Sequence, residues 1–374
     1  MKNSNSLNGY PEAETRVWFN KCFSSVKGVL TQLRADWGNG LYLLGSHTDG
    51  GFEPLSLCDL TETEPTGISG DEYVAWCLDF CKRNRVDVFI PGRMRDLIAD
   101  RRADFEAGGT GMVVAGNGDT LRLLEDKGRF LSQLPEGVSA HQFHRVRNWA
   151  EFAAAAAEIR ESGRRVCFKP AVGTFGQGFH IIDDGLTPLK RLMNGETHRI
   201  STSELRGILE DSESFTEMLV MEYLDGSEFS VDTLAHEGRV LAMVCRRKAF
   251  NGRVRVEGTS RISRIREGQS QLLAEEPQIE EMVRKLVERF HLGGIFNVQF
   301  RSPAVVPEKP CLLEINGRMS GGLPYIRLSG LNLVKHAIQI AMRKPGEPLP
   351  EIPAPALPLR VREETQVSAM PQTP

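Results

Sequence analysis

No stretch of this 374-residue chain stays apolar over the roughly 18 residues that a membrane-spanning helix needs; runs such as Phe152–Ala157 are far shorter. The opening MKNSNSLNGYPEAE lacks the apolar segment of a secretory leader. An excess of one charge is lacking too: 46 Lys and Arg oppose 49 Asp and Glu, for a net charge of −3 and a pI of about 6.3. Bulk attraction to nucleic acid or to an acidic membrane surface is therefore not expected. The seven cysteines (Cys22, Cys58, Cys77, Cys81, Cys167, Cys245 and Cys311) are odd in number, widely spaced and without a C-x-x-C pair. That argues against a disulfide framework or a zinc site and for a reducing, cytoplasmic compartment. Cys77 and Cys81, four apart on a helix face, read as small apolar core residues. None of the eight histidines pairs at metal-ligand spacing; His141 and His144 are three apart with no carboxylate or cysteine close by in sequence.

What is present is an ordinary globular mixture, 40% hydrophobic and 25% charged, long enough for two or three domains. Glycine is enriched at 36, and eight of the 20 prolines crowd into residues 345–374. Residues 1–15 read as a disordered lead-in. Arg16–Phe19 and Leu41–Leu44 read as short buried strands with a helix over Cys22–Asp36 between them. A helix over Gly70–Asn84 leads into the apolar run Val86–Ile90, and Met112–Ala115 is another such run. Strands alternating with helices predict a parallel α/β domain over 16–118. One helix is expected over 119–136, capped by Asp119, and another over the alanine-rich Glu151–Ser162. Val166–Pro170 and Gly178–Ile182 flank a glycine-rich turn and predict a hairpin. Further strands are expected at Glu217–Leu224, Glu228–Ala235, Ile295–Arg301 and Cys311–Ile315. Ile279, Met282, Val283, Leu286, Val287 and Phe290 recur at the spacing of an amphipathic helix. A last helix is expected at Leu331–Arg343, followed by an extended or disordered Pro-rich tail over 345–374.

Two places carry chemistry. Lys169 ends a strand, and the loop after it, Ala171–Gly178 (AVGTFGQG), has glycines at 173, 176 and 178. Such a loop brings backbone N–H groups close to phosphate oxygens, and the lysine adds a point charge; a plain hairpin turn with a surface lysine is the alternative. The spacing is not that of a P-loop. Further on, NVQFR and LLEINGR supply Gln299, Glu314, Asn316 and Arg318. On a strand, Glu314 and Asn316 share a face, and Gln299 on the preceding strand can meet them across the ladder. Three oxygen ligands among apolar neighbours suit a hard divalent cation that also binds phosphates, as Mg²⁺ does; a solvated edge strand is the alternative.

Six segments occur in this order: LLEDKGRF with Lys127, FKP with Lys169, GTFGQG, MEYLDGSEFSVD, FNVQF and LLEINGR. Together they resemble the ATP-grasp superfamily, on the carbamoyl phosphate synthetase and biotin carboxylase branch, over residues 118–343. The resemblance implies an α/β protein in which a parallel-sheet pre-ATP-grasp domain precedes a two-lobed α+β ATP-grasp domain over 119–344. The small lobe would span about 140–225 and the large lobe about 226–344. Lys127 and Lys169 would hold ATP phosphates. The loop Gly173–Gly178, with Thr174, Gly176 and Gly178, would cover them as a mobile lid. Glu222, Tyr223 and Leu224 would form the adenine hinge and Glu228 would bind the ribose. Gln299, Glu314 and Asn316 would bind one or two Mg²⁺ ions, with Mn²⁺ the alternative ion, and Arg318 would act on the transferring phosphoryl group. The sequence departs from the pattern at Gly317, where the family often has Pro, and at Gln299, where some branches have Asp.

The segment Cys245–Arg266 carries eight basic residues: Arg246, Arg247, Lys248, Arg253, Arg255, Arg261, Arg264 and Arg266. A solvated hairpin and a nucleic-acid surface are alternatives. With only Phe250 interleaved, a nucleic-acid surface is disfavoured. Arg246, Arg247 or Arg264 recognising an acid is the favoured reading. The resemblance implies an ATP-dependent ligase that joins a small carboxylate to an amine through an acyl phosphate, with no membrane partner and a homodimer as the family-level expectation. A kinase with a phosphorylated small-molecule product, a non-catalytic nucleotide-binding protein and a nucleic-acid-binding protein are the alternatives.

Overall fold

Five short strands build the first layer of the computed structural model. They are β1 (Thr15–Phe19), β2 (Leu41–His47), β3 (Leu60–Thr63), β4 (Val88–Ile90) and β5 (Gly111–Met112). The structure describes residues 15–361 apart from 24, 174–177, 188, 190–191, 194–196, 213, 249–270, 305 and 308. The expected disordered lead-in thus lies outside the described residues except for Thr15. The sheet is parallel, in the order β3-β2-β1-β4-β5. Its central strands are near-continuous apolar runs because both faces are covered. Trp18 of β1 stacks on Phe80 and on Phe89, with ring centroids 4.1 Å away in each case. Phe80 is held there by the helix Gly70–Asn84. The Ser69 hydroxyl accepts from Glu72 N–H and the Glu72 carboxylate accepts from Ser69 N–H, a reciprocal cap that fixes where this helix starts. The strand order reverses direction between β1 and β4, and ligands of open α/β sheets bind outside the carboxyl ends of strands at such a point.

The second sheet contains β6 (Phe143–Val146), β7 (Val166–Pro170), β8 (His180–Ile182), β9 (Arg199–Ile200) and β10 (Met218–Glu222), ordered β6-β10-β7-β8-β9. All its pairs are antiparallel except β8 with β9. The helix Trp149–Glu161 lays Phe152, Ala155, Ala156 and Ile159 on Val146, Phe168 and Val220 of this sheet. The third sheet is fully antiparallel: β11 (Glu228–His236), β12 (Arg239–Lys248), β13 (Gln271–Ala274), β14 (Gly294–Arg301), β15 (Cys311–Asn316) and β16 (Leu359–Val361), in the order β15-β14-β11-β12-β13-β16. The helix Pro277–Arg289 buries Ile279, Met282, Val283, Leu286 and Val287 in the core that this sheet shares with Trp18 and Phe80.

The first layer does not stand apart from the third sheet. Val17 and Leu30 belong to the same apolar cluster as Leu273, Ile295, Val334 and Val361. Asp36, near the end of the helix Val26–Trp37, accepts three hydrogen bonds from the Arg327 guanidinium at 2.6, 2.9 and 3.2 Å and one from Asn332 at 2.8 Å.

The chain departs from the sequence expectations in four places. The helix expected from Cys22 begins at Val26, after a turn closed by Val26 N–H on the Phe23 carbonyl. Met112–Ala115 gives only the two-residue strand Gly111–Met112, though Val113 N–H still donates to Phe89. The single helix expected over 119–136 is two, Gly118–Glu125 and Lys127–Leu131. Asn117, not Asp119, caps the first, and Asp126 takes non-helical dihedrals, bridges to Val172 and caps the second through Arg129 N–H. The Pro-rich tail is not outside the fold either: Leu359–Val361 pairs with β13 and ends the third sheet, so the large lobe runs past residue 344. The prolines up to Pro358 confine the extended approach to that edge, where a missing N–H is tolerated.

Candidate active site

The break at Asp126 has a consequence. It starts a new helix with Lys127 at its first position, facing the end of β7. Lys127 N–H donates to the Ala171 carbonyl and its ammonium donates to the Gly173 carbonyl at 2.6 Å. The Lys169 ammonium, from β7, lies 3.6 Å from the Glu314 carboxylate, and that of Lys127 lies 3.8 Å from the same oxygen. Two lysines thus share one carboxylate. Burial pushes Lys169 below the ordinary lysine range; Glu314 opposes this and Lys127 adds to it.

Register on the third sheet supplies the other side. Gln299 of β14 lies directly opposite Glu314 of β15, and Asn297 lies opposite Asn316. The ladder bulges after Gln299, skipping Leu313. Asn316 donates its amide to Glu314 at 3.2 Å, and Gln299 donates its amide to Asn297 at 3.3 Å. Both amides therefore turn their N–H groups to protein acceptors and keep their oxygens for another partner. Among the described residues no cluster of three His, Cys, Asp or Glu side chains is placed to hold a metal.

Lys127, Lys169, Gln299 and Glu314, but not Asn316, line one end of a cavity of about 230 Å³ between the second and third sheets. The other end is formed by Glu222, Tyr223, Leu224 and Glu228. Glu222 is buried and ion-paired with Arg164; its N–H donates to Gln142, and the Tyr223 N–H donates to Arg165. The Tyr223 ring carries guanidinium groups at 4.8 Å (Arg165) and 5.4 Å (Arg301) from its centroid. Cys167 lines the cavity as a neutral thiol, pushed up to about 12 by burial. Of the expected lid, Gly173 and Gly178 are described, while Thr174 and Gly176 lie outside the described residues. Gly178 has φ +71°, and a Cβ there would lie 2.8 Å from the Pro170 ring, so glycine is required where the loop returns.

Arg318 follows β15, its guanidinium 4.9 Å over the Phe23 ring. The basic segment divides. Arg264 lies outside the described residues. Arg247 is exposed and donates to Ser227. Arg246 is buried and faces inward: it donates to Asp232 at 2.8 and 2.9 Å, to Ser230 at 2.9 Å and to Ser320 at 3.2 Å. Asn297 bonds the same Asp232 and Ser230. Acid recognition by Arg246 is therefore set aside: an arginine spent on an internal carboxylate at this depth is an anchor for the turn after Arg318.

Sequence reasoning missed Asp232, Asn297, Ser320, Arg301 and Arg95. Ser230 and Asp232 carried a signal, two polar residues at strand spacing in an otherwise apolar β11. Arg95 carried none; it reaches Arg318 only through the strand order of the first sheet.

Residues 214–367 match a family described as ATP-grasp in the biosynthetic pathway with Ter operon. No curated protein sequence matches the chain. Similar solved structures include an L-amino acid ligase from Bacillus licheniformis (TM-score 0.58, 14% identity, 89% of this chain and 75% of that one). N5-carboxyaminoimidazole synthetase from Staphylococcus aureus is another (TM-score 0.59, 13% identity, 92% and 80%). A third is biotin carboxylase from Campylobacter jejuni in complex with β-γ-ATP (TM-score 0.57, 15% identity, 90% and 72%). Over residues 214–367 the chain is thus similar to an ATP-grasp family, and it shares its overall fold with these structures.

Proposed function

We propose that the protein is an ATP-dependent ligase that activates a carboxylate as an acyl phosphate and joins it to an amine, releasing ADP and phosphate. The observation that carries this reading is the convergence of Lys127, Lys169, Gln299 and Glu314 at one end of a single cavity whose other end is the Glu222–Leu224 hinge. The fold is shared with a ligase, a synthetase and a carboxylase, which supports the class of activity.

In this reading ATP lies along the cavity. Glu222 and Tyr223 already donate their N–H groups within the protein, so adenine is met by Leu224, with Glu228 on the ribose. Lys127 and Lys169 leave Glu314 for the phosphates. Glu314 and the amide oxygens of Gln299 and Asn316 would hold Mg²⁺; one carboxylate plus neutral oxygens fits an ion that completes its shell with phosphate oxygens and water. The ion supplies charge neutralisation along the triphosphate. A carboxylate oxygen attacks the γ-phosphorus, the bond to ADP breaks, and Arg318 stabilises the equatorial oxygens. The amine then attacks the acyl carbon and phosphate leaves. No protein nucleophile is required, and the neutral Cys167 offers none.

The test is ADP release from the full chain with ATP and Mg²⁺ across a library of small carboxylates, with hydroxylamine as the trapping amine. Acid-dependent ADP release with formation of a hydroxamate is expected. A phosphorylated product that hydroxylamine does not intercept would overturn the ligase reading in favour of a kinase.

Lys169 adds a pH prediction. Its pKa lies below the ordinary ~10.4 of lysine, so its ammonium is present at neutral pH and lost earlier than usual as pH rises. The KM for ATP should therefore climb on the alkaline side before an ordinary lysine would titrate. Lys169→Arg, which stays charged, should lower the peak rate and flatten that climb; identical alkaline limbs for both proteins would refute the role.

A further inference from the structure

Past the nucleotide cavity lies a smaller one of about 40 Å³, between the carboxyl ends of β1, β4 and β5 and the turn that follows β15. It sits where the strand order of the first sheet reverses. Val26, Val29, Ile90, Val113, Val114 and Ile295 give it an apolar wall. Only two charged side chains line it among the described residues, Arg95 and Arg318; no carboxylate, lysine or histidine does. Arg95 donates to the Gly92 carbonyl at 3.1 Å and to Glu125 at 3.2 Å, while its Nε is buried with no hydrogen-bond partner among the described residues. Burial and the nearby Arg95 push the Arg318 guanidinium down from its ordinary value, partly offset by Glu314. Both guanidinium-bearing residues line the same apolar cavity, so a carboxylate bound there would meet the two together.

We propose that this cavity is the acid subsite and that it takes a short monocarboxylate without an α-ammonium group, its carboxylate against Arg95 and Arg318 and its apolar tail among the valines and isoleucines. The inference deepens the ligase reading and rests on it for the fate of the acid; binding itself needs no turnover. Among the described residues that line the cavity, an α-ammonium group would have no carboxylate to meet. Of the two hydroxyls in the wall, that of Ser320 already accepts from Arg246 and from Gly322 N–H. A buried, unpaired ammonium is strongly unfavourable. A second carboxylate, as in succinate, would lie against the apolar wall. Cys22 does not alter this: burial pushes its thiol up to about 12, so it is a neutral part of the wall. At roughly 10–15 Å³ per water-sized group, the space holds about three such groups, which limits the apolar tail beyond the carboxylate to about three carbons.

The test is calorimetric titration of the full chain, saturated with Mg²⁺ and a non-hydrolysable ATP analogue, with butyrate, 2-aminobutyrate and succinate. Butyrate is expected to bind at least about 10-fold more tightly than either of the others. Arg95→Met and Arg318→Met should each weaken butyrate at least about 10-fold. Val113→Phe, which fills the wall, should weaken it too, and the analogue's own affinity checks that each variant is folded. Equal or tighter binding of 2-aminobutyrate, or no binding of butyrate, overturns the proposal. Selective butyrate binding without ADP release in the presence of any amine upholds the subsite and overturns the ligase reading. ADP release driven by amino acids alone does the reverse.

Discussion

Glu314→Ala is expected to lower acid-dependent ADP release by about 100-fold or more while leaving the protein folded. Glu314 is the one carboxylate among the three proposed cation ligands, and it separates the Lys169 and Lys127 ammonium groups at 3.6 and 3.8 Å. Removing it has two opposite effects on a nucleotide. The affinity of metal-free ADP should hold or rise, because both lysines then face the phosphates without an internal counter-charge. The gain that Mg²⁺ gives to that affinity should disappear, because Gln299 and Asn316 offer only neutral oxygens. Glu314→Gln keeps the volume and an acceptor for Asn316, so an equal loss in that variant assigns the effect to charge. Measuring ADP affinity with and without Mg²⁺, beside steady-state turnover, separates the two effects. Undiminished turnover, or an unchanged Mg²⁺ dependence, would refute the role.

How far the sequence led is best judged on single elements. The helix Gly70–Asn84 was legible to the residue, because Ser69 and Glu72 encode its start and the apolar spacing encodes its inward face. The meeting of Gln299 with Glu314 was legible because strand alternation leaves one register for the polar residues. The split of the helix expected over 119–136 was not. It depends on Asp126 bridging to Val172, a contact between segments with no local signature, and that bridge is what turns Lys127 toward β7. The β16 strand was hidden for a similar reason. Prolines predict where a helix cannot continue but not which sheet edge an extended segment meets. The basic segment misled because charge was read as a run. On β12, Arg246 and Arg247 point to opposite faces, so one is an internal anchor and the other is exposed.

That alternation leads to the largest stability effect expected of one substitution. Asp232 is fully buried, and its countercharge is Arg246. Arg246→Met leaves a buried carboxylate with the neutral Asn297 amide, a situation that typically destabilises by about 3–5 kcal/mol. Arg246→Lys should not rescue it. One ammonium cannot bond Asp232, Ser230 and Ser320 in the planar geometry the guanidinium uses. Gly322→Ala should act from the other side, since a Cβ there would overlap the Arg246 guanidinium and force the side chain off Asp232. The decisive comparison is the double variant Arg246→Met with Asp232→Asn. Removing the stranded charge should return much of the lost stability in thermal or urea denaturation, because the penalty lies in the unpaired carboxylate rather than in the missing arginine. Recovered stability should not bring recovered turnover. Ser320 would keep only the Gly322 N–H and still lack its arginine donor, and the turn carrying Arg318 would lose its tie to β12. A double variant as unstable as Arg246→Met alone would show that packing of the arginine, not its charge, holds this part of the large lobe together.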